Sequence, residues 1–270
     1  MTVQDIAQAA FAQEWQQWHA EHERKLADPH GFLAVTSLNW LSAEPARFDD
    51  APGTWSSTDA GVTVQLAEGE QLTIDGAEVC GSYRFGLIGE RDSVFAGFGD
   101  AVVEVAKRGG HDIVRPRHPE HPLRANFAGV PAYDPDRRWV AAGRYIPFEA
   151  PRHVTVGAAV EGLRHVYASP GQLEFTLDGG TFRLTAFNGK QPGSLLALFT
   201  DATSGVTTYA ANRSVQVDAP GPQGQVTIDF NRAVNLPCAY TDLATCPLPP
   251  AENRLPIAIE AGEKIPFERL

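Results

Sequence analysis

The sequence predicts a mostly β fold, an antiparallel sandwich or barrel-like sheets with one N-terminal α-helix packed against them. Short apolar stretches with alternating side chains recur along the chain between turns rich in glycine and proline. Only one stretch, at the N-terminus, has strong helical periodicity. The 270 residues, 43% hydrophobic and 20% charged, suffice to bury a core.

The pattern of residues 3 to 27 predicts the long helix. Large side chains recur there at spacings of three and four, at Phe11, Trp15, Trp18, His22 and Leu26. Asp28-Pro29-His30-Gly31 ends the pattern. The two tryptophans on one stripe indicate that the helix docks on the body of the protein. A short helical turn is expected within residues 31 to 41.

Turn residues fix the expected strands. Gly109-Gly110, Pro170-Gly171 and Asp178-Gly179-Gly180 mark hairpin turns, and Glu68-Gly69 divides a stretch that alternates on both sides. The strands are expected within 62 to 74, 101 to 115, 138 to 146, 153 to 160, 165 to 187, 194 to 200, 206 to 217 and 224 to 230. Since no helices separate them, antiparallel pairing is expected.

The predicted division has three parts: a helix over 1 to 30, a first β subdomain over 31 to 150, and a second over 151 to 270. The second ends in a loop rich in proline and cysteine. The border is placed at Pro147 to Pro151. One continuous domain is the alternative.

Charge and hydropathy narrow the class of partner. The net charge of −11 argues against nucleic acid or an anionic membrane. No secretion signal and no membrane-spanning apolar run is visible, so a cytoplasmic protein is expected. Eight Lys or Arg and only four Asp or Glu lie between Lys107 and Arg144. A locally basic segment in an acidic chain is a mild indication of a small anionic ligand. Ordinary surface arginines are the alternative explanation of the same local charge.

Several common sites are excluded by inspection. The chain has no Gly-x-Ser-x-Gly elbow, no Walker loop, no dinucleotide glycine fingerprint and no Cys-x-x-Cys pair. The histidine pairs His19 with His22 and His118 with His121 lack further ligands at recognisable spacing. We therefore expect no stoichiometric zinc, and the sequence identifies no cofactor.

Polar residues cluster near the C-terminus, in two segments. Within 201 to 213 a strand would point Tyr209 and Arg213 to one face, and within 229 to 232 Asp229 and Asn231 would share a face with Arg232 opposite, unless a bulge intervenes. A connection through Pro220-Gly221-Pro222 is expected to let the two strands pair. The candidate ligand-binding residues are Asp201, Tyr209, Arg213, Asp229, Asn231, Arg232, Tyr240, Glu252, Asn253 and Arg254.

Cys238 and Cys246 lie eight positions apart, flanked by Pro237 and Pro247, which stiffen the loop. Four interpretations stay open: packed thiols, a disulfide, two ligands of a metal, or a catalytic thiol. A reducing cytoplasm disfavours a permanent disulfide. The third cysteine, Cys80, is expected in the core.

Five stretches resemble the domain-of-unknown-function family 1684. They are "GFLAVTSLNWL", "NFAGVPAYDPDRRWVAAGRY", "DATSGVTTYAANR", "DFNRAVNLPCAYTDLATCPLPPAENRL" and "AGEK". The resemblance runs over most of residues 10 to 265, with Leu236-Pro237 where the family has two prolines. "VRPRHPEHP" resembles the family's Arg-x-Arg-Asp stretch, with Pro116 and His118 replacing an apolar residue and the aspartate. The resemblance implies a bacterial, mostly β protein and no particular reaction.

These observations favour recognition of a small polar or anionic molecule in a pocket formed by the C-terminal half. Arginines would hold the anion through bidentate hydrogen bonds, and carboxylates would orient them. One alternative is a hydrolase-like or isomerase-like enzyme with Asp229 or Glu252 as acid or base. Another is a structural or interaction domain in which the loop plugs one end of the β scaffold.

Overall fold

The computed structural model describes residues 3–269, and it confirms a mostly β protein with one long N-terminal helix. Helix α1 spans Val3–Leu26, as predicted. Trp15 is the buried member of its stripe, and its indole Nε1 donates to the carbonyl oxygen of Asn231 at 2.6 Å. No helix within residues 3–269 is long and apolar enough to cross a membrane.

The chain divides into two compact units. The N-terminal β unit contains residues 24–127 and 243–245, and the C-terminal β unit contains 1–23, 128–242 and 246–270. The predicted border at Pro147 to Pro151 falls inside a strand of the C-terminal unit, because the two prolines lie where that strand bulges and not where it ends.

The N-terminal β unit holds ten strands and one short helix. The strands are β1 (Asn39–Trp40), β2 (Ala46–Phe48), β3 (Ala51–Thr58), β4 (Gly61–Gln65), β5 (Leu72–Ile74), β6 (Ala77–Val79), β7 (Ser82–Gly86), β8 (Ser93–Phe98), β9 (Ala101–Arg108) and β10 (His111–Arg117), followed by α2 (Pro122–Ala125). The expected helical turn is a 3-10 helix over Phe32–Ala34.

Two antiparallel sheets form a sandwich in this unit. One has the order β1-β10-β9-β8-β5-β6 and the other the order β2-β3-β4-β7. Alternation sends Trp55 and Val64 from the second sheet, and Val103, Val105 and Val114 from the first, into one apolar core. Burial of these side chains is the main stabilising term.

The C-terminal β unit holds seven strands in one antiparallel sheet of order β16-β11-β12-β13-β14-β15-β17. They are β11 (Val140–Gly157), β12 (Arg164–Leu177), β13 (Gly180–Asn188), β14 (Leu195–Phe199), β15 (Arg213–Val217), β16 (Gln225–Asp229) and β17 (Val234–Asn235). Short 3-10 helices span Arg137–Trp139, Phe230–Arg232, Pro237–Ala239, Ala251–Asn253 and Phe267–Arg269. Leu255, Ile259 and Ala261 from the C-terminal segment pack into the apolar core beside Phe175 and Phe230.

The hairpin over 101 to 115 is confirmed, as is the turn at Asp178-Gly179. Pro170-Gly171 makes no turn, because both residues lie inside β12, where the pairing with β11 shifts at a bulge. The strands expected at 138 to 146 and 153 to 160 form one continuous strand, β11, because the bulge between them shifts the pairing with β12 without ending it. Backbone hydrogen bonds to β12 on both sides of the bulge keep the strand together.

The stretch over 62 to 74 contains two strands, one on each side of Glu68-Gly69, and they enter different sheets, since β4 pairs with β3 and β7 while β5 pairs with β6 and β8. Two further strand predictions are wrong. β15 and β16 do not pair with each other, because β15 pairs with β14 and β17 and β16 with β11. Residues 206 to 212 precede β15 as turns, since the carbonyl oxygen of Thr203 accepts hydrogen bonds from three successive backbone N–H groups.

Candidate functional site

Asp201 and Arg213, two of the predicted residues, form a buried ion pair in the C-terminal β unit. Arg213 Nη2 lies 2.7 Å from Asp201 Oδ2, and the side chains are 1% and 0% exposed. The guanidinium also donates to the carbonyl oxygens of Ile259 at 3.1 Å, of Glu263 at 3.3 Å, and of Ala261. Burial lowers the pKa of Arg213, and the charge of Asp201 acts against that shift. The Arg213 guanidinium therefore ties β15 both to Asp201 and to the C-terminal segment.

Asp229, Asn231 and Arg232 form a second group, at the end of β16. Asp229 Oδ1 accepts from the backbone N–H of Asn231 at 3.0 Å, and the Asn231 amide bonds both the N–H and the carbonyl of Asp136 at 2.9 Å. Arg232 Nε lies 3.4 Å from Asp229 Oδ2. Arg232 therefore does not point away from Asp229, because a 3-10 helix places residues i and i+3 on the same side.

Tyr209 and Tyr240 each make a hydrogen-bond contact through the phenol hydroxyl. The Tyr209 hydroxyl donates to the carbonyl oxygen of Cys238 at 2.8 Å, and the Tyr240 hydroxyl lies 3.4 Å from Glu263 Oε2. Burial raises the pKa of both phenols. They are therefore neutral hydrogen-bond donors at ordinary pH.

Glu252, Asn253 and Arg254 form a third group. Asn253 is fully buried and joins two strands, because its amide accepts from the N–H of Thr185 at 2.7 Å and donates to the carbonyls of Thr185 at 2.9 Å and Leu198 at 2.8 Å. Glu252 Oε1 accepts from the Thr185 hydroxyl at 2.9 Å. Arg254 lies exposed at the surface.

The ten predicted residues thus lie in separate groups, and most of their side-chain hydrogen bonds are with protein backbone. This arrangement suits a loop that closes one part of the β scaffold. A ligand pocket built from them stays a prediction. Cys80, which was expected in the core, is exposed, because it follows the end of β6 at a turn.

A charged cluster that the sequence analysis did not select lies in the N-terminal β unit. It contains Glu104 and Arg108 of β9 and Arg115 and Arg117 of β10, and we call it the arginine cluster. Glu104 lies directly opposite Arg115 in the β9–β10 ladder. Because side chains alternate, all four residues lie on the face of the sheet opposite the apolar core.

Three guanidiniums of the arginine cluster share one carboxylate. Arg115 donates to Glu104 through Nε at 3.0 Å and Nη2 at 2.8 Å, and Arg108 Nη2 donates to it at 3.0 Å. Arg117 Nη2 donates to Glu104 Oε2. Arg115 is 1% exposed, Arg117 6% and Glu104 2%. The buried group therefore carries excess positive charge.

The carboxylate in the arginine cluster stays ionised. Burial raises the pKa of Glu104, but the charges of Arg115 and Arg117 and their hydrogen bonds outweigh burial and hold that pKa at about 2. Arg115 Nη1 and Arg117 Nε are buried and have no hydrogen-bond partner among the described residues. Two nitrogens of positively charged guanidiniums, with three N–H bonds between them, thus donate to no described residue.

Aromatic rings cover part of the arginine cluster. The Phe32 ring centre lies 4.9 Å from the Arg115 guanidinium carbon and 4.8 Å from that of Arg117. The half-exposed ring of Phe95 lies 5.1 Å from the guanidinium carbon of Arg117. Ring faces attract cations weakly, so these contacts compensate only a fraction of the excess charge.

Arg117 also lines a cavity of about 510 Å³ in the same unit. Thr36, Asp50 and His118 contribute to its wall. Asp50 accepts from the Thr36 hydroxyl. Arg117 therefore belongs both to the arginine cluster and to the wall of this cavity, with hydrogen-bonding groups beside it.

The sequence does contain a signal for the arginine cluster. Glu104 is the one charged residue between Val102 and Ala106, and the Gly109-Gly110 turn places it opposite Arg115. The basic segment starting at Lys107 is the other part of that signal.

His22 of α1 has a buried carboxylate as its partner. His22 Nε2 lies 2.9 Å from Oε1 of the buried Glu263, whose Oε2 accepts from the N–H of Asn235 at 2.6 Å. Within residues 3–269, no three His, Cys, Asp or Glu side chains converge as a metal site requires. The expected absence of zinc stays a prediction for elemental analysis.

Comparison with models of known protein families identifies the family of this chain. The family described as Protein of unknown function (DUF1684) matches residues 125–264. The chain belongs to this family. The match begins later than the sequence resemblance, which extended back to residue 10, and the description carries no activity.

Among solved structures, the chain is similar to an uncharacterised protein from Haloarcula marismortui determined by solution NMR. The two are 31% identical, the match covers 53% of this chain and 79% of that protein, and the TM-score is 0.44. No curated protein matches the chain.

Proposed function

We propose that this member of the family recognises a small anionic molecule, and that the anionic group binds beside Arg117 and Arg115 of the arginine cluster. The observation that carries the proposal is the sharing of one buried carboxylate, Glu104, by three guanidiniums, while Arg115 Nη1 and Arg117 Nε have no hydrogen-bond partner within residues 3–269. The reaction class stays outside the proposal.

The physical argument concerns uncompensated charge. An unpaired charge buried in protein costs several kcal/mol, and an unpaired buried donor adds about 1–3 kcal/mol. A phosphate or carboxylate would supply both the missing charge and the missing acceptors, and guanidinium groups match the geometry of these anions. The cavity lined by Arg117 is where such an anion would approach the cluster.

The ligand is expected to be polar beyond its charged group. Asp49 and Asp50 line the same cavity as Arg117, and the Arg47 guanidinium there is paired with Glu70. These two aspartates would accept hydrogen bonds from ligand hydroxyls. A sugar phosphate or sugar acid fits that combination better than a bare inorganic anion.

The test is a thermal-shift titration with sodium phosphate, glucose 6-phosphate and gluconate, against sodium chloride at equal ionic strength. Ligand at 100 times its Kd stabilises by about 2.7 kcal/mol, which corresponds to a rise in Tm of roughly 5–10 °C. Arg117→Gln should remove the anion-specific rise. Glu104→Gln should enlarge it, because it removes the competing carboxylate, even if the variant melts lower without ligand.

Arg183→Gln is the matched control, since Arg183 forms an exposed pair with Glu174 and should leave the rise unchanged. An anion-specific rise that survives Arg117→Gln, or shifts with salt alone in every variant, contradicts the proposal.

The C-terminal pocket predicted from the sequence has its own test in the same titration. Its exposed members Glu252 and Arg254 can be changed to Gln and Ala without disturbing the core. If these variants lose the anion-specific rise in Tm while Arg117→Gln keeps it, the anion binds in the C-terminal pocket and not at the arginine cluster. An acid or base role for Glu252 or Asp229 would then become testable.

A further inference from the structure

The Pro237–Ala239 turn and the segment around Cys246 bring two thiols together at the base of the C-terminal loop. The backbone N–H of Cys238 donates to Cys246 Sγ at 3.3 Å. The two side chains are buried, at 3% and 7% exposed. No disulfide joins the cysteines of the described residues.

The surroundings favour reactivity of the Cys238 sulfur. The hydrogen bond with the Cys246 thiol lowers the pKa of Cys238; burial acts against it, and the Tyr209 hydroxyl and the charge of Arg269 add to the lowering. Arg269 Nη2 and the Tyr209 hydroxyl donate to the Cys238 carbonyl at 3.2 and 2.8 Å. The thiolate is the nucleophilic form of cysteine.

The geometry also limits movement. Proline precedes Cys238 and follows Cys246, which fixes the backbone angle φ at each proline and so restrains the loop. Tyr209 and Arg269 hold the Cys238 carbonyl from two further parts of the chain. Cys246 Sγ lies 3.3 Å from the backbone nitrogen of Cys238, and the two thiols are close enough to hydrogen-bond each other. We therefore expect rotation of the side chains to bring the two sulfurs to bonding distance.

We propose that Cys238 and Cys246 are a modification site that forms a reversible intramolecular disulfide, with a small hydroperoxide as the oxidant. The Cys238 thiolate attacks the peroxide O–O bond, giving a sulfenic acid and, from hydrogen peroxide, one water. Cys246 sulfur then attacks the Cys238 sulfur and expels hydroxide, which leaves as water with the thiol proton. Two thiols and one peroxide thus yield one disulfide and two waters.

Burial selects the oxidant. Hydrogen peroxide is small enough to reach a thiol that is a few per cent exposed, whereas a bulky disulfide such as oxidised glutathione is not. The exposed Cys80 lies in the other unit and should react with both reagents. Removing it with Cys80→Ser prevents intermolecular disulfides from obscuring the result.

The experiment treats Cys80→Ser protein with hydrogen peroxide, then with dithiothreitol, and measures intact mass, thiol content and Tm. We expect the mass to fall by two hydrogen atoms, both thiols to be lost, and Tm to rise by about 5 °C because the short loop is closed in the unfolded chain. Dithiothreitol should reverse all three changes.

Adding Cys246→Ser to the same background provides the control. It should leave Cys238 to gain oxygen atoms instead of losing hydrogen. If the parent also gains oxygen without losing two hydrogens, or keeps both thiols under peroxide that oxidises Cys80 in the native chain, the proposal is overturned. The mass readout does not depend on whether a serine variant folds less well.

Discussion

Replacing Arg213 by alanine tests the buried ion pair of the C-terminal β unit. The change removes a guanidinium that is 1% exposed, leaving Asp201 buried and the carbonyls of Ile259 and Ala261 without this donor. Breaking a buried pair on one side costs about 3–5 kcal/mol. Asp201 would still accept a hydrogen bond from the N–H of Thr203 at 2.6 Å, so the cost of leaving its carboxylate unpaired lies in the lower half of that range of about 3–5 kcal/mol. The carbonyls that lose the Arg213 donor add to this cost.

We therefore expect Arg213→Ala to lose about 4 kcal/mol of unfolding free energy, or roughly 8–16 °C in Tm. Urea unfolding followed by circular dichroism measures the loss. Arg183→Ala is the matched control: its pair with Glu174 is 60% and 31% exposed, so the loss should stay below about 1 kcal/mol. If Arg213→Ala unfolds within 1 kcal/mol of the parent, the pair does not hold the C-terminal segment.

Two further outcomes follow from the contacts. The pKa of Glu104 is about 2 in the folded protein, against an ordinary value of 4.5. The ionised Glu104 therefore contributes roughly 3 kcal/mol to the unfolding free energy above about pH 4.5, and this contribution is lost as the pH falls towards 2. In Glu104→Gln, the midpoint of urea unfolding should depend less on pH between 4.5 and 2. If the midpoint falls with acid as steeply as in the parent, the assignment to Glu104 is contradicted. Trp15→Phe removes the indole donor to Asn231 and should cost about 1 kcal/mol, measured as several-fold faster proteolysis of α1, whereas Trp18→Phe should change little.

The arginine cluster shows which contacts can be predicted from local sequence and which cannot. The register of β9 against β10 is readable, because Gly109 and Gly110 adopt positive φ angles of 59° and 85° and so suit a two-residue turn. The Glu104–Arg115 pair follows from that register. The covering by Phe32 does not, since it comes from a turn before β1 and depends on how distant segments pack.

The C-terminal block shows the opposite case. Its irregular backbone and its rich supply of hydrogen-bonding groups were visible in the sequence, but the partners of those groups were not. Arg213 meets carbonyls from 259 to 263, and Asn253 meets strands β13 and β14, over separations of tens of residues. The same polar residues are compatible with a pocket or with a closed loop until these contacts are known.

By itself, the sequence determined the helix, the mostly β class, several turns and the family, because side-chain alternation, helical spacing and turn chemistry act between near neighbours in the chain. Only the tertiary structure decided that β4 and β5 enter different sheets, that β11 runs on through its proline-bearing bulge, and which buried charges share a partner. These features depend on non-local burial and pairing, where the free energy of desolvating a charge or completing a ladder outweighs the local preference of the residues involved.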